Sequence, residues 1–237
     1  MIGFKPTPPL LLQRTPFRHR VSMLLTFYRK INKKLSNHKI MAKSSGGTRG
    51  TNANNKQSVS SLERGREMFG YFLAQGGHSS AEVNKSIDSS FAPSFIDAPF
   101  SSSDLAAFDK VFEKIGTERN LYKGTDESWL DYAMKQTGSK SIEDLAGKSF
   151  TDKFYSSLTT NKSVQQDYSL RTIDFGRTPV RLNFHLGKSA KIAYPERNGH
   201  NVTDNEITLG RNQKYHISKV KFIEGDDYDY YVVDIKI

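Results

Sequence analysis

Cysteine is absent from the 237 residues, which excludes disulfides and thiolate metal sites. Acidic residues are absent from the first 62 positions, where twelve lysines and arginines run from Lys5 to Lys56 before Glu63 appears. Removing those twelve charges from the net +10 leaves the remainder near −2. The basic character therefore belongs to the leader, and any nucleic-acid partner is confined to residues 1–58. No apolar run approaches the roughly 18–20 residues that cross a bilayer. Leu10–Leu12 and the Met23–Tyr28 stretch are too short, so no membrane partner is expected. Common catalytic signatures are missing too: there is no P-loop, G-x-G-x-x-G, G-x-S-x-G or HExxH. The six histidines show no metal-ligand spacing, and no metal is expected.

What is present divides in two. Residues 41–58 have almost no apolar side chains and cannot offset the entropy of ordering. Residues 1–58 are therefore read as a disordered basic leader and linker. For the first forty residues three readings compete: a targeting peptide, a basic arm, or a true start at Met41, which is favoured. No convincing secretory signal is present, because no small-residue cleavage site follows the short apolar run. The chain is expected to be cytoplasmic or delivered into a host cytoplasm.

From residue 59 to 237 the pattern is that of a folded domain. Ser60 and Glu63 form a capping box, with Leu62, Phe69, Phe72 and Leu73 as an apolar stripe and Gly76-Gly77 as the stop. Ser103 is expected to cap a second helix whose face carries Leu105, Phe108, Val111, Phe112 and Ile115, ending at Gly116. Ser86 to Ser102 reads as a connector. Residues 120–124 read as a short strand, 127–137 as a helix ended by Gly138, and 150–158 as extended chain. Residues 179–186 alternate strictly, with Val180, Leu182, Phe184 and Leu186 on one side. Further strands are expected over 190–194, 206–209, 215–223 and 228–237, and Glu224 to Asp229 reads as a hairpin turn. Helices followed by strands imply an α+β domain with mainly antiparallel pairing.

Three separated segments occur in order: Leu121-Tyr122-Lys123-Gly124, Phe154-Tyr155-Ser156-Ser157-Leu158-Thr159, and Asp204-Asn205-Glu206-Ile207-Thr208-Leu209. Gly147-Lys148-Ser149-Phe150 precedes the second, and the segment from Gly187 to Tyr194 precedes the third. This order resembles the Arg-Ser-Glu class of ADP-ribosyltransferases, found among bacterial exotoxins and phage enzymes. The resemblance spans about residues 60–237. It implies N-terminal helices followed by a mainly antiparallel two-sheet core. It also implies transfer of ADP-ribose from NAD to an unidentified protein target, with nicotinamide released.

The residue roles follow from the resemblance. Glu206 matches the catalytic glutamate and Ser156 the first serine of the motif, with Ser157 beside it. Asp204 stands where the family carries a Glu or Gln that engages the target, which slightly favours arginine as acceptor. Lys123 stands in the place of the family's arginine, with Tyr122 and Gly124 flanking it in the cofactor-binding strand. Arg119 is a second candidate cation, and Tyr194 a candidate for stacking on nicotinamide. The chain departs from the pattern at Lys123, at Ser157-Leu158 and at Asp204. Lysine lacks the planar bidentate fork of arginine. The competing readings are a catalytically inactive binding module on the same scaffold and nucleic-acid binding through the leader.

Overall fold

The protein is described by a computed structural model over residues 60–74, 79–200 and 205–237. The leader, the Gly76-Gly77 stop and Asp204 lie outside the described residues. The fold opens with three helices: α1 (Ser61–Leu73), α2 (Ser79–Lys85) and α3 (Ser102–Phe108). The capping box at Ser60 forms as expected, its hydroxyl accepting from the Glu63 N–H while Glu63 accepts from the Ser60 N–H. The cap of α3 is Ser101, not Ser103. Asp104 lies three residues after Ser101 and completes a second capping box there. That helix also ends earlier than its apolar spacing suggested. It stops at Phe108, passes through a 3₁₀ turn (Asp109–Val111) and enters strand β1 (Glu113–Lys114), so Phe112 and Ile115 are not helical. Helix α2 ends at Lys85, immediately before the expected connector from Ser86 to Ser102. The buried Lys85 then donates to the carbonyls of Pro93 and Ile96, which pins the loop that follows.

The remaining elements are β2 (Arg119–Asp126), α4 (Ser128–Thr137), β3 (Ser149–Asp152), β4 (Ser156–Thr159), α5 (Lys162–Leu170), β5 (Pro179–Leu186), β6 (Lys191–Ala193), β7 (Glu206–Leu209), β8 (Gln213–Ile223) and β9 (Tyr230–Lys236). Gly138 ends α4 in the left-handed region, at φ 69°. The strands hydrogen-bond in the order β1-β6-β7-β4-β2-β5-β9-β8-β3. All these pairings are antiparallel except β5–β9. The two layers expected from sequence are thus halves of one continuous sheet, which curls until both halves share one core. Leu121, Leu158, Leu182, Phe184 and Ile207 from one half pack with Phe150, Tyr215, Ile217 and Ile235 from the other. Phe184 and Tyr215, two strands apart in the ladder, bring their rings to 5.5 Å.

A second core lies under the helices. Met68, Phe69, Phe72, Val83, Leu105 and Phe108 close over Tyr155 and Ala193. Tyr155 ties this layer to the sheet. Its ring stacks on Phe112 at 5.3 Å and its hydroxyl donates to Asp109 at 2.7 Å. Arg211 holds the same carboxylate through Nη2 at 2.6 Å and Nε at 3.0 Å. Among the described residues no helix is long and apolar enough to cross a membrane.

Candidate active site

A cleft of about 920 Å³ opens where β2, β4 and the start of β7 meet α4 and α5. Lys123, Ser156 and Glu206 all line it, together with Tyr122, Gly124 and Ser157. These residues come from strands that are neighbours in the ladder: Tyr122 sits opposite Thr159, and Thr159 opposite Glu206. Three segments far apart in sequence therefore converge on one rim.

Each is held by a local device. Ser156 follows Tyr155, whose backbone is clamped by Asn84 from α2. The Asn84 amide accepts from the Tyr155 N–H and donates to its carbonyl, both at 3.0 Å. The side chain thus acts as a one-residue strand partner at the entrance of β4. Gly124 allows α5 to lie directly on β2, since a Cβ there would stand 2.1 Å from the Gln165 carbonyl oxygen. Gln165, buried at that crossing, donates to the Leu182 carbonyl at 2.8 Å. Glu206 is preceded by Asn205 at φ 48°, a left-handed turn that asparagine tolerates better than most residues.

The electrostatics of the cleft are dense. The Lys123 ammonium donates to Ser156 Oγ at 3.2 Å. Burial pushes Lys123 below the usual lysine range, against the opposing pull of Asp152 and Glu206. Asp152 is itself buried, and burial raises its carboxyl above the usual range. At the rim, Lys153 pairs with Asp88 and holds that carboxyl well below its ordinary value. Trp129, Tyr132 and Lys135 from α4 form one wall, with Phe91 and Phe154 nearby.

Two sequence-selected residues sit elsewhere. Arg119 and Tyr194 are not among the residues that line the cleft. The Arg119 guanidinium lies 5.8 Å from the Tyr194 ring, and Arg197 lies 4.4 Å from that ring on its own account. The β2–β5 register is unbroken from Arg119 to Asp126, so no slip carries Arg119 toward Lys123. Asn84, Asp152, Gln165 and Tyr215 were not singled out from sequence. The only trace of Asp152 there is a charge at the end of Phe150-Thr151-Asp152, followed by Lys153, which reads equally well as a turn. Among the described residues no group of three or more histidines or carboxylates could hold a metal ion.

A model of the ADP-ribosyltransferase exoenzyme family matches residues 76–237. The chain belongs to the ADP-ribosyltransferase exoenzyme family. Its fold is similar to that of the Clostridium limosum C3 exoenzyme, with a TM-score of 0.50 and 15% identity over 76% of this chain and 86% of that one. It is also similar to BECa, an ADP-ribosylating toxin of a C. perfringens binary enterotoxin, solved with NADH. There the TM-score is 0.50 and the identity 18%, over 76% of this chain and 44% of the toxin component. At these identities the likeness is one of fold. No curated protein matches the chain. Family membership agrees with the resemblance carried by the three ordered segments.

Proposed function

We propose that this exoenzyme-family chain transfers the ADP-ribose of NAD to a protein side chain and releases nicotinamide. The observation that carries the reading is the convergence of Glu206, Ser156 and Lys123 on one cleft. The toxin of the same fold solved with NADH supports a dinucleotide as the ligand of such a cleft. NAD joins ribose to a positively charged nicotinamide, already a good leaving group. Breaking that bond leaves an oxocarbenium-like centre, as in glycoside hydrolysis. In this reading the Glu206 carboxylate steadies the cation and holds a ribose hydroxyl. Ser156 orients that carboxylate and shares the cation of Lys123, which binds the pyrophosphate by charge and hydrogen bonds. Tyr122, Gly124 and Ser157 shape the strand surfaces that hold the dinucleotide folded, and fixed orientation supplies part of the rate gain. Asp204 would engage the acceptor, arginine being slightly favoured. Arg119 and Tyr194 take no part in this cleft-centred reading.

The functional domain is proposed to span residues 59–237 and to act in a host cytoplasm, as the exoenzyme description of the family suggests. Purified protein, labelled NAD and host lysate provide the test. Label should pass to a discrete protein band, and slow nicotinamide release should occur without lysate. Neither transfer nor release under any condition tried would sink the enzymatic reading.

A further inference from the structure

Below the cleft floor, polar side chains meet from both halves of the curled sheet. Asp152 at the end of β3 is 4% exposed. Its Oδ1 accepts from the Tyr132 hydroxyl of α4 at 3.1 Å and from the Phe154 N–H at 3.2 Å. Tyr215 of β8 is 1% exposed, and its hydroxyl interacts with both Asp152 and Ser156. It completes no hydrogen bond of normal geometry with either. Ser156 Oγ in turn accepts from Lys123. Asp152 acts on Lys123 through space and not as a direct ion pair. Lys123 lines the same cleft as Asp152 from β3, Ser156 from β4 and Glu206 from β7, and these last three are the groups that act on its ammonium.

A carboxylate buried in a protein core is expensive, and an apolar side chain of similar volume is often the more stable choice. Asp152 is not needed to join strands, since β3 pairs with β8 through backbone ladders. A perturbed buried charge beside a cleft is a mark of an electrostatic task. The task is visible at Lys123. An arginine in a partly buried site stays charged unaided, whereas a lysine there gives up its proton more readily. We propose that Asp152, held by the Tyr132 hydroxyl, is a positioning residue that keeps Lys123 cationic on Ser156 and poised for phosphate. This rests on the reading of Lys123 as the phosphate-binding cation. Glu206 cannot carry the duty alone, because its charge is engaged elsewhere once the ribose cation forms.

The test uses the full chain and its Asp152→Asn, Tyr132→Phe and Lys123→Arg variants. Competitive acetylation across pH, read by peptide mass spectrometry without NAD, reports the proton on Lys123. Asp152→Asn is expected to move the Lys123 titration midpoint to lower pH. The alkaline limb of kcat/KM for nicotinamide release should move with it, the KM for NAD rising more than kcat falls. In the Lys123→Arg background the same substitution should leave the alkaline limb in place. Tyr132→Phe, which removes one donor to the Asp152 carboxylate, should shift the midpoint in the same direction by less, and it decides the matter if Asp152→Asn fails to fold. A Lys123 midpoint that does not fall in the folded variants overturns the proposal. A fallen midpoint with an unchanged KM upholds Asp152 as the partner of Lys123 and instead overturns Lys123 as the phosphate ligand.

Discussion

Replacing Gly124 by alanine tests how the cleft is built, because one methyl group must displace a helix. The added Cβ would stand 2.1 Å from the Gln165 carbonyl oxygen, 2.5 Å from the Ser169 nitrogen and 3.0 Å from the Tyr168 Cβ. The two nearest atoms are backbone, so no rotamer change relieves the clash. Reaching an ordinary contact of about 3.4 Å requires α5 to move by about 1 Å. Overpacking of this kind costs about 1–3 kcal/mol, and obstruction by backbone points to the upper end. Lifting α5 also weakens the Gln165 hydrogen bond to Leu182, worth about 1 kcal/mol. A total of about 3–4 kcal/mol corresponds to a Tm lower by about 6–16 °C for a domain of this size. Differential scanning calorimetry reads this directly. Activity should fall as well, since Lys123 is the preceding residue on the strand that α5 covers. A Tm within about 1 °C of the parent would refute the claim that α5 lies on β2 because position 124 has no side chain.

Three further outcomes are expected. Asn84→Leu should leave the Tyr155 N–H and carbonyl without partners in a buried place, costing about 2–4 kcal/mol in chemical denaturation. Nicotinamide release should drop more than folded fraction alone explains, because Ser156 follows the clamped residue. Asp109→Ala should lower stability by about 1 kcal/mol, a modest figure because the pair with Arg211 is partly solvated. The pH dependence of stability should carry the mark of Asp152, whose carboxyl is raised by burial. A raised carboxyl contributes stability below the unfolded pKa and loses it as pH climbs through the folded value. Asp152→Asn should therefore be at least as stable as the parent at pH 7, and equal or lower stability near pH 3. Marked destabilisation at pH 7 would show that the ionised carboxylate favours the folded state and would contradict the raised carboxyl.

The parts of the fold legible in sequence were those written in apolar spacing and end signals. The alternation of Val180, Leu182, Phe184 and Leu186 located β5 to the residue, because one face of that strand is fully buried. Gly138 marked the end of α4 through its left-handed conformation. Helix α5 was invisible for the opposite reason. Its buried positions are Gln165 and Ser169, polar residues that leave no hydrophobic period, and it is seated by the absence of a side chain at Gly124. The error at α3 has a similar cause. Ser101 and Ser103 are equal as caps until the position of Asp104 is weighed. In the candidate site, the motif residues Lys123, Ser156 and Glu206 are brought to one cleft. The surrounding residues Asp152, Tyr132 and Asn84 carry no such pattern, because their significance lies in contacts between strands and helices distant in sequence.

The most direct test compares nicotinamide release from NAD by the parent and by Glu206→Gln, which keeps the shape of the side chain and removes its charge. If that carboxylate steadies the departing-group cation, release should fall by at least about 100-fold while NAD binding changes little. Release within twofold of the parent, from a folded variant that binds NAD normally, would contradict the assignment of Glu206 and with it the proposed chemistry of the cleft.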